Sequence, residues 1–135
     1  MTRKEARETA MCLLFEQDFR EEETPEEIYE ISTQNREITD DEYLRRVYFG
    51  VNENLEKIDD VIGAHSKGWK TDRMSHVSRA IQRIAVYEML FEKDIPAAVS
   101  INEAIELSKK YDDEKAKRFI NGVLNAVKTE ISDEN

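Results

Sequence analysis

The chain has 135 residues, a length typical of one domain with its own hydrophobic core. Charged residues make up 37% and aromatic residues 8%, with four Gly and two Pro, which favours helices and argues against β-sandwiches, barrels and Gly-rich nucleotide-binding folds. The longest apolar run, Met11 to Phe15, is about five residues and far too short for a membrane span. A single cysteine and the lack of a signal-peptide pattern at the N-terminus predict a cytoplasmic protein without disulfides.

The net charge of −10 is concentrated in one segment. Residues 16–42 hold twelve acids and two arginines, and they account for the whole excess. The rest of the chain has 18 basic and 18 acidic residues, so locally basic surfaces can form there. The net charge therefore does not exclude binding to a polyanion.

The first half of the chain predicts three helices. Apolar residues recur at helical spacing over residues 2–19. A capping box formed by Thr24 and Glu27 begins a short helix over residues 24–33. One long helix is expected over residues 39–64, with a cap at its start and an apolar stripe along its length.

The second half predicts three more helices. Ser75 is expected to cap a helix over residues 75–93, which ends before a proline. Ser100 begins a second capping box and a helix over residues 100–111. The last helix is expected over residues 113–131. The pattern predicts one domain spanning residues 1–135, with an all-α fold: a compact helical bundle of about six to seven helices.

Catalytic and metal-binding constellations are scarce. His65 and His76 are far apart and lack the spacing of a metal pair on one helix. Cys12 lies in an apolar run and is typical of a small core residue. The glycines are isolated, so there is no phosphate-binding loop. We expect neither an enzyme nor a cofactor nor a bound metal.

Two helix faces combine cations with groups that suit RNA. On the first helix, Lys4, Arg7 and Phe15 fall within about 80° on a helical wheel, with Arg3 adjacent. Such a face suits single-stranded RNA, because phosphates meet the cations and a base stacks on the ring. The alternative is that Phe15 belongs to the core. The last helix presents a similar set away from its apolar stripe, in which the Asn amides suit base edges: Lys117, Arg118, Asn121, Asn125 and Lys128.

A third basic cluster surrounds Trp69 and continues onto the helix that follows it: Lys67, Lys70, Arg73, Arg79 and Arg83. On that helix, Arg79, Arg83, Val86 and Leu90 share a face away from the core stripe, which indicates either a partner site or plain surface. Glu88 falls within the apolar stripe, where a carboxylate has to be paired. It forms either an internal salt bridge or a contact at a protein interface.

Five segments resemble the NusB family of transcription antitermination factors, in order and with similar spacing: RKEARE at 3–8, RAIQRIAVYE at 79–88, DIP at 94–96, VSINEAIELSK at 99–109 and FINGVLN at 119–125. The resemblance covers almost the whole chain. It implies a helical fold of two three-helix halves. It also implies a bacterial protein that binds boxA-type RNA together with the small-subunit ribosomal protein NusE, and that acts with other Nus factors on RNA polymerase.

The resemblance also implies site residues. Arg3, Lys4 and Arg7 match the family's arginine-rich RNA-binding arm, and Phe15 matches its aromatic position. Lys4 and the following residue stand where some members have arginines, and Asn125 stands where an acid is common. Some members pair through the RNA-binding face, so a homodimer stays open. The alternative function is a helical interaction adaptor that never binds RNA and docks through Arg79, Arg83, Val86, Glu88 and Leu90.

Overall fold

Seven α-helices make up the part of the chain that the structure describes. This computed structural model describes residues 1–66 and 74–134, with only the backbone of residues 133 and 134. Within those ranges there is no strand, so the predicted all-α fold is confirmed. The helices are α1 (Arg3–Gln17), α2 (Pro25–Gln34), α3 (Glu42–Glu53), α4 (Leu55–Ala64), α5 (His76–Phe91), α6 (Ala97–Tyr111) and α7 (Glu114–Glu134).

Side-chain caps fix where several helices begin. At α2 the Thr24 hydroxyl accepts from the Glu27 N–H at 3.1 Å, while the Glu27 carboxylate accepts from the Thr24 N–H at 3.2 Å. This is the predicted capping box, which satisfies two of the free N–H groups of the first turn. Ser75 caps α5 as predicted, accepting from the Ser78 N–H at 3.0 Å.

The predicted long helix over residues 39–64 is wrong, because it divides at Asn54 into α3 and α4. The Asn54 side chain donates to the carbonyl of Gly50 at 2.9 Å, and its backbone has φ −119° and ψ 23°. Asn competes with the backbone for hydrogen bonds in this way, which favours helix ends over helix interiors. The break lets α4 pack separately against α5.

The prediction that the helix over residues 100–111 begins at Ser100 is also wrong. Helix α6 begins at Ala97, directly after Pro96, whose φ of −60° and ψ of 139° place it just outside the helix. Ser100 lies one turn inside α6 and is buried, and its hydroxyl donates to Glu88 on α5 at 2.8 Å. The hydroxyl is therefore used for a tertiary contact.

Helix α5 is the centre of the fold. It packs against α1, α3, α4, α6 and α7, and every residue from Ile81 to Met89 is buried. Helices α1–α3 form one group, α5–α7 form a second group, and α4 packs between α3, α5 and α7. Over these nine residues α5 has no solvent face, so the polar residues among them have to find partners inside the protein.

Candidate RNA interface

Arg7, predicted to bind phosphates at the surface, lies inside the protein. Its exposed fraction is 6% and that of Glu88 is 1%, and the Arg7 Nε is 2.7 Å from the Glu88 Oε2. The hydroxyls of Tyr43 and Ser100 also donate to this carboxylate. The prediction of a surface role for Arg7 is therefore wrong, and the internal salt bridge left open for Glu88 is confirmed.

The two charges of this pair stabilise each other. Burial by itself lowers the pKa of Arg7, but the hydrogen bond and the negative charge of Glu88 raise it above its usual value. Burial also raises the pKa of Tyr43, and its hydrogen bond to Glu88 adds to the effect. The tyrosine therefore stays protonated and donates to the carboxylate.

The predicted docking face on α5 is wrong, because most of it is covered by other helices. Val86 has an exposed fraction of 0%, and Glu88 is enclosed as described above. The Arg83 guanidinium, 9% exposed as a residue, forms two hydrogen bonds to Asp59 of α4 at 2.8 and 2.9 Å. Leu90 is half-buried and packs against the core. The helical wheel showed a second face of α5, but α4 covers the part of it at Arg83.

Arg79, the remaining member of that face, is held by Asp18, an acid of the 16–42 segment. Its Nη2 lies 2.8 Å from the Asp18 Oδ2, and the His76 Nδ1 also lies 2.8 Å from that oxygen. Burial opposes the ionisation of Asp18, but the hydrogen bonds with Arg79 and His76 lower the pKa of Asp18 below its usual value. Asp18 therefore has a structural role, as Glu27 of the same segment has in the α2 capping box.

Part of the RNA-binding face predicted on the first helix is accessible on the outer flank of α1. Arg3 and Lys4 are exposed, and Phe15 has an exposed fraction of 38%, so Phe15 is not enclosed in the core. The Phe15 ring centre is 5.2 Å from that of Phe19 and 6.3 Å from that of His76. Two cations near the start of α1 and an aromatic group near its end thus remain at the surface.

The predicted residues of α7 also face solvent. Arg118, Asn121 and Asn125 are exposed, and Lys117 is half-buried with its ammonium 3.7 Å from Glu114. The Asn125 side-chain nitrogen donates to the Asn121 carbonyl at 2.8 Å and lies 3.0 Å from the Asn121 side-chain oxygen. This arrangement holds two amide groups side by side on the surface of the helix.

The end of α6 connects these two surfaces, and its residues are not among the predicted site residues. The Lys110 ammonium lies 2.6 Å from the Glu8 Oε1 on the outer flank of α1, and the Tyr111 hydroxyl donates to the same carboxylate. The hydrogen bond from Lys110, and then that from Tyr111, hold the pKa of Glu8 below its usual value. A signal was present: two lysines and a tyrosine end this helix directly before the basic start of α7.

Part of the third basic cluster, namely Lys67, Trp69, Lys70 and Arg73, lies outside the described residues. Within residues 1–66 and 74–134, no group of three His, Cys, Asp or Glu side chains is placed to hold a metal ion. No helix of those two ranges combines the length and apolarity needed to cross a membrane.

Comparison with known proteins gives one family for nearly the whole length. Residues 4–129 match the NusB family. The transcription antitermination protein NusB of Bacillus licheniformis is 44% identical over 131 residues, which span 97% of this chain and 99% of that protein. The T. maritima NusB structure is 37% identical, covers 96% of this chain and 92% of its own, and superposes with a TM-score of 0.85.

A second similar structure contains NusB and NusE in complex with dsRNA. The matching chain is 33% identical, with a TM-score of 0.83, and the match covers 95% of this chain and 96% of that one. The sequence matches and the structural match both cover nearly the whole chain, and the relatives are also matched over nearly their full length. The chain belongs to the NusB family.

Proposed function

We propose that this chain is a transcription antitermination factor, a non-enzymatic protein of one domain that binds boxA-type RNA together with NusE in the cytoplasm. The proposal depends most on one observation: a match covering 95% of this chain relates it to a chain in the complex of NusB and NusE with dsRNA. The antitermination proteins that it resembles at 44% and 40% identity support the same function. Other Nus factors and RNA polymerase are then indirect partners.

The RNA contacts in this proposal lie on the outer faces of α1 and α7. Arg3 and Lys4 supply cations for phosphates, and Phe15 supplies a ring on which a base can stack. On α7, the contacts come from Lys117, Arg118, Asn121 and Asn125. Arg7 acts only indirectly in this account, because its pair with Glu88 holds α1 against α5.

The charge distribution explains why a partner is needed. The net charge of −10 repels RNA at long range, and a few exposed cations give a contact that salt weakens strongly. NusE contributes further contacts in the joint complex. The chain alone is therefore expected to bind RNA weakly and the pair to bind it tightly.

Fluorescence anisotropy of a labelled boxA-type RNA tests the function, with and without NusE, at salt concentrations of about 50 and 200 mM. We expect weak binding by the chain alone, a clear gain with NusE, and a loss of affinity at the higher salt. An adaptor that never binds RNA gives no signal attributable to this chain in either condition. If the anisotropy measured with NusE alone does not change when this chain is added, the proposal is contradicted.

Arg118→Ala tests the α7 contacts. Because Arg118 is exposed, its removal should leave the melting temperature unchanged while it lowers RNA affinity about three- to tenfold and reduces the salt slope by about 1. Lys57→Ala on α4 removes the same charge from another surface and serves as the matched control. Equal losses for the two variants would indicate a general charge effect and argue against contacts on α7.

A further inference from the structure

Tyr111 and Lys110 form an exposed aromatic and cationic pair at the end of α6. The exposed fraction of Tyr111 is 40%, and the Lys110 ammonium lies 5.4 Å from the centre of the Tyr111 ring. We propose that this pair is an RNA subsite, in which the Tyr111 ring stacks on one unpaired nucleobase and Lys110 binds an adjacent phosphate. The inference rests on the proposed function. It adds an RNA contact that lies outside the two RNA-binding faces predicted on the first and last helices.

The position of the pair supports this role. Glu8, which both side chains contact, lies one turn after Lys4 and about two turns before Phe15 on α1. A strand that lies along α1 from Lys4 to Phe15 therefore passes beside Tyr111. A groove of about 300 Å³ lies on the Lys110 side of this pair, and three lysines and three glutamates line it, among them Lys4, Glu8 and Lys110.

The pair also lies between the RNA-binding faces predicted on α1 and α7. Helix α6 packs against α7 on one side, and its last turn contacts α1 on the other. The chain continues from Tyr111 through two aspartates into α7, whose first turns carry Lys117 and Arg118. Without the subsite, an RNA strand would cross α6 with no aromatic contact between α1 and α7.

Glu8 sets the strength of the subsite in two opposing ways. Its carboxylate accepts from the Tyr111 hydroxyl and so holds the ring in place, which lowers the entropy cost of stacking. The same carboxylate forms an ion pair with the Lys110 ammonium at 2.6 Å, and its negative charge repels an approaching phosphate. A neutral amide at position 8 keeps an acceptor for the hydroxyl and releases the lysine.

Three substitutions test the subsite in the complex with NusE and a single-stranded boxA-type RNA. Tyr111→Ala should lower RNA affinity by about fivefold or more, which is the loss expected for one stacked base. Tyr111→Phe keeps the ring and should bind within about twofold of the wild type. Glu8→Gln should raise affinity about two- to fivefold, the range expected for one exposed charge.

The chain offers a matched control in Phe91. Its exposed fraction is 38%, and the Lys57 ammonium lies 5.4 Å from its ring centre. Phe91 is the last residue of α5, whereas the contact with the end of α6 is made at the start of α5, where Ser75 donates to Asp112. Phe91→Ala should therefore leave RNA affinity unchanged. A fully duplex RNA offers no free base face, so Tyr111→Ala should not weaken binding to it.

The outcomes separate the two proposals. If the wild type binds RNA with NusE and Tyr111→Ala binds equally well, the subsite is refuted and the proposed function stands. If the wild type adds no RNA binding to NusE, both fail. Should Tyr111→Ala unfold, Lys110→Ala provides the test: about threefold weaker binding and a shallower salt slope support the subsite, and unchanged binding overturns it.

Discussion

Glu88→Ala is expected to lower the free energy of unfolding by about 3–5 kcal/mol, the largest loss that we predict for a single substitution. The substitution leaves the Arg7 cation 6% exposed and without the carboxylate at 2.7 Å. It also removes the acceptor for the hydroxyls of Tyr43 and Ser100, two groups from two further helices. Urea denaturation followed by circular dichroism measures the loss.

Glu106→Ala is the matched control for this prediction. Glu106 is an exposed glutamate on α6 whose carboxylate lies 3.3 Å from Lys109, a surface pair of small value. Its removal should change the free energy of unfolding by less than about 0.5 kcal/mol. Equal effects of the two substitutions would show that Glu88 is not held in a buried pair.

A double-mutant cycle separates the pair from the rest of the packing. Arg7→Leu alone leaves Glu88 buried without its cation, and Glu88→Leu alone leaves Arg7 buried without its anion. The double variant leaves neither charge, so it should be more stable than the sum of the single effects predicts, by about 1–3 kcal/mol. Additive effects would contradict direct coupling between the two side chains.

Gly50→Ala is expected to lower the free energy of unfolding by about 1–3 kcal/mol, because α3 and α5 approach each other too closely for a methyl group. A Cβ at position 50 would lie 2.7 Å from the Tyr87 Cζ and 2.8 Å from its hydroxyl oxygen. Tyr87 has little room to move, since it is 5% exposed and its hydroxyl donates to Glu92 at 3.0 Å.

Gly122→Ala is the control for Gly50→Ala. It is also a helical glycine, but a Cβ there meets nothing within 4 Å. Because alanine favours the helix, this substitution should raise the free energy of unfolding by about 0.5–1 kcal/mol. The two changes are chemically identical, so opposite signs in thermal melts would isolate the close contact with Tyr87. Destabilisation by both substitutions would contradict this explanation.

The sequence predicted those features that depend on neighbouring residues. The capping box at Thr24 and the cap at Ser75 were correct because a cap needs only a side chain and the N–H groups two or three residues later. The break at Asn54 and the early start of α6 were missed. At Ser100 the hydroxyl binds Glu88 of another helix, and no local pattern shows that competition.

The same distinction applies to the RNA surface. A helical wheel separates one flank from another, but it does not show how many flanks are covered. For α7, which has one apolar stripe, the wheel placed Asn121 and Asn125 correctly in solvent, and their contact with RNA stays a prediction. For α1 it failed, because it placed Arg7 at the surface. For Glu88 on α5 it left an internal salt bridge and an interface contact open, and the structure shows the salt bridge with Arg7.

Amide chemical-shift mapping of the isotope-labelled chain tests whether RNA lies across the outer faces of α1, α6 and α7. Spectra are recorded with NusE alone and then after a boxA-type RNA is added. We predict that the RNA-dependent shifts fall around Lys4, Phe15, Tyr111, Asn121 and Asn125. Shifts confined to α3 and α4, with those five positions unmoved, would contradict this placement of the RNA.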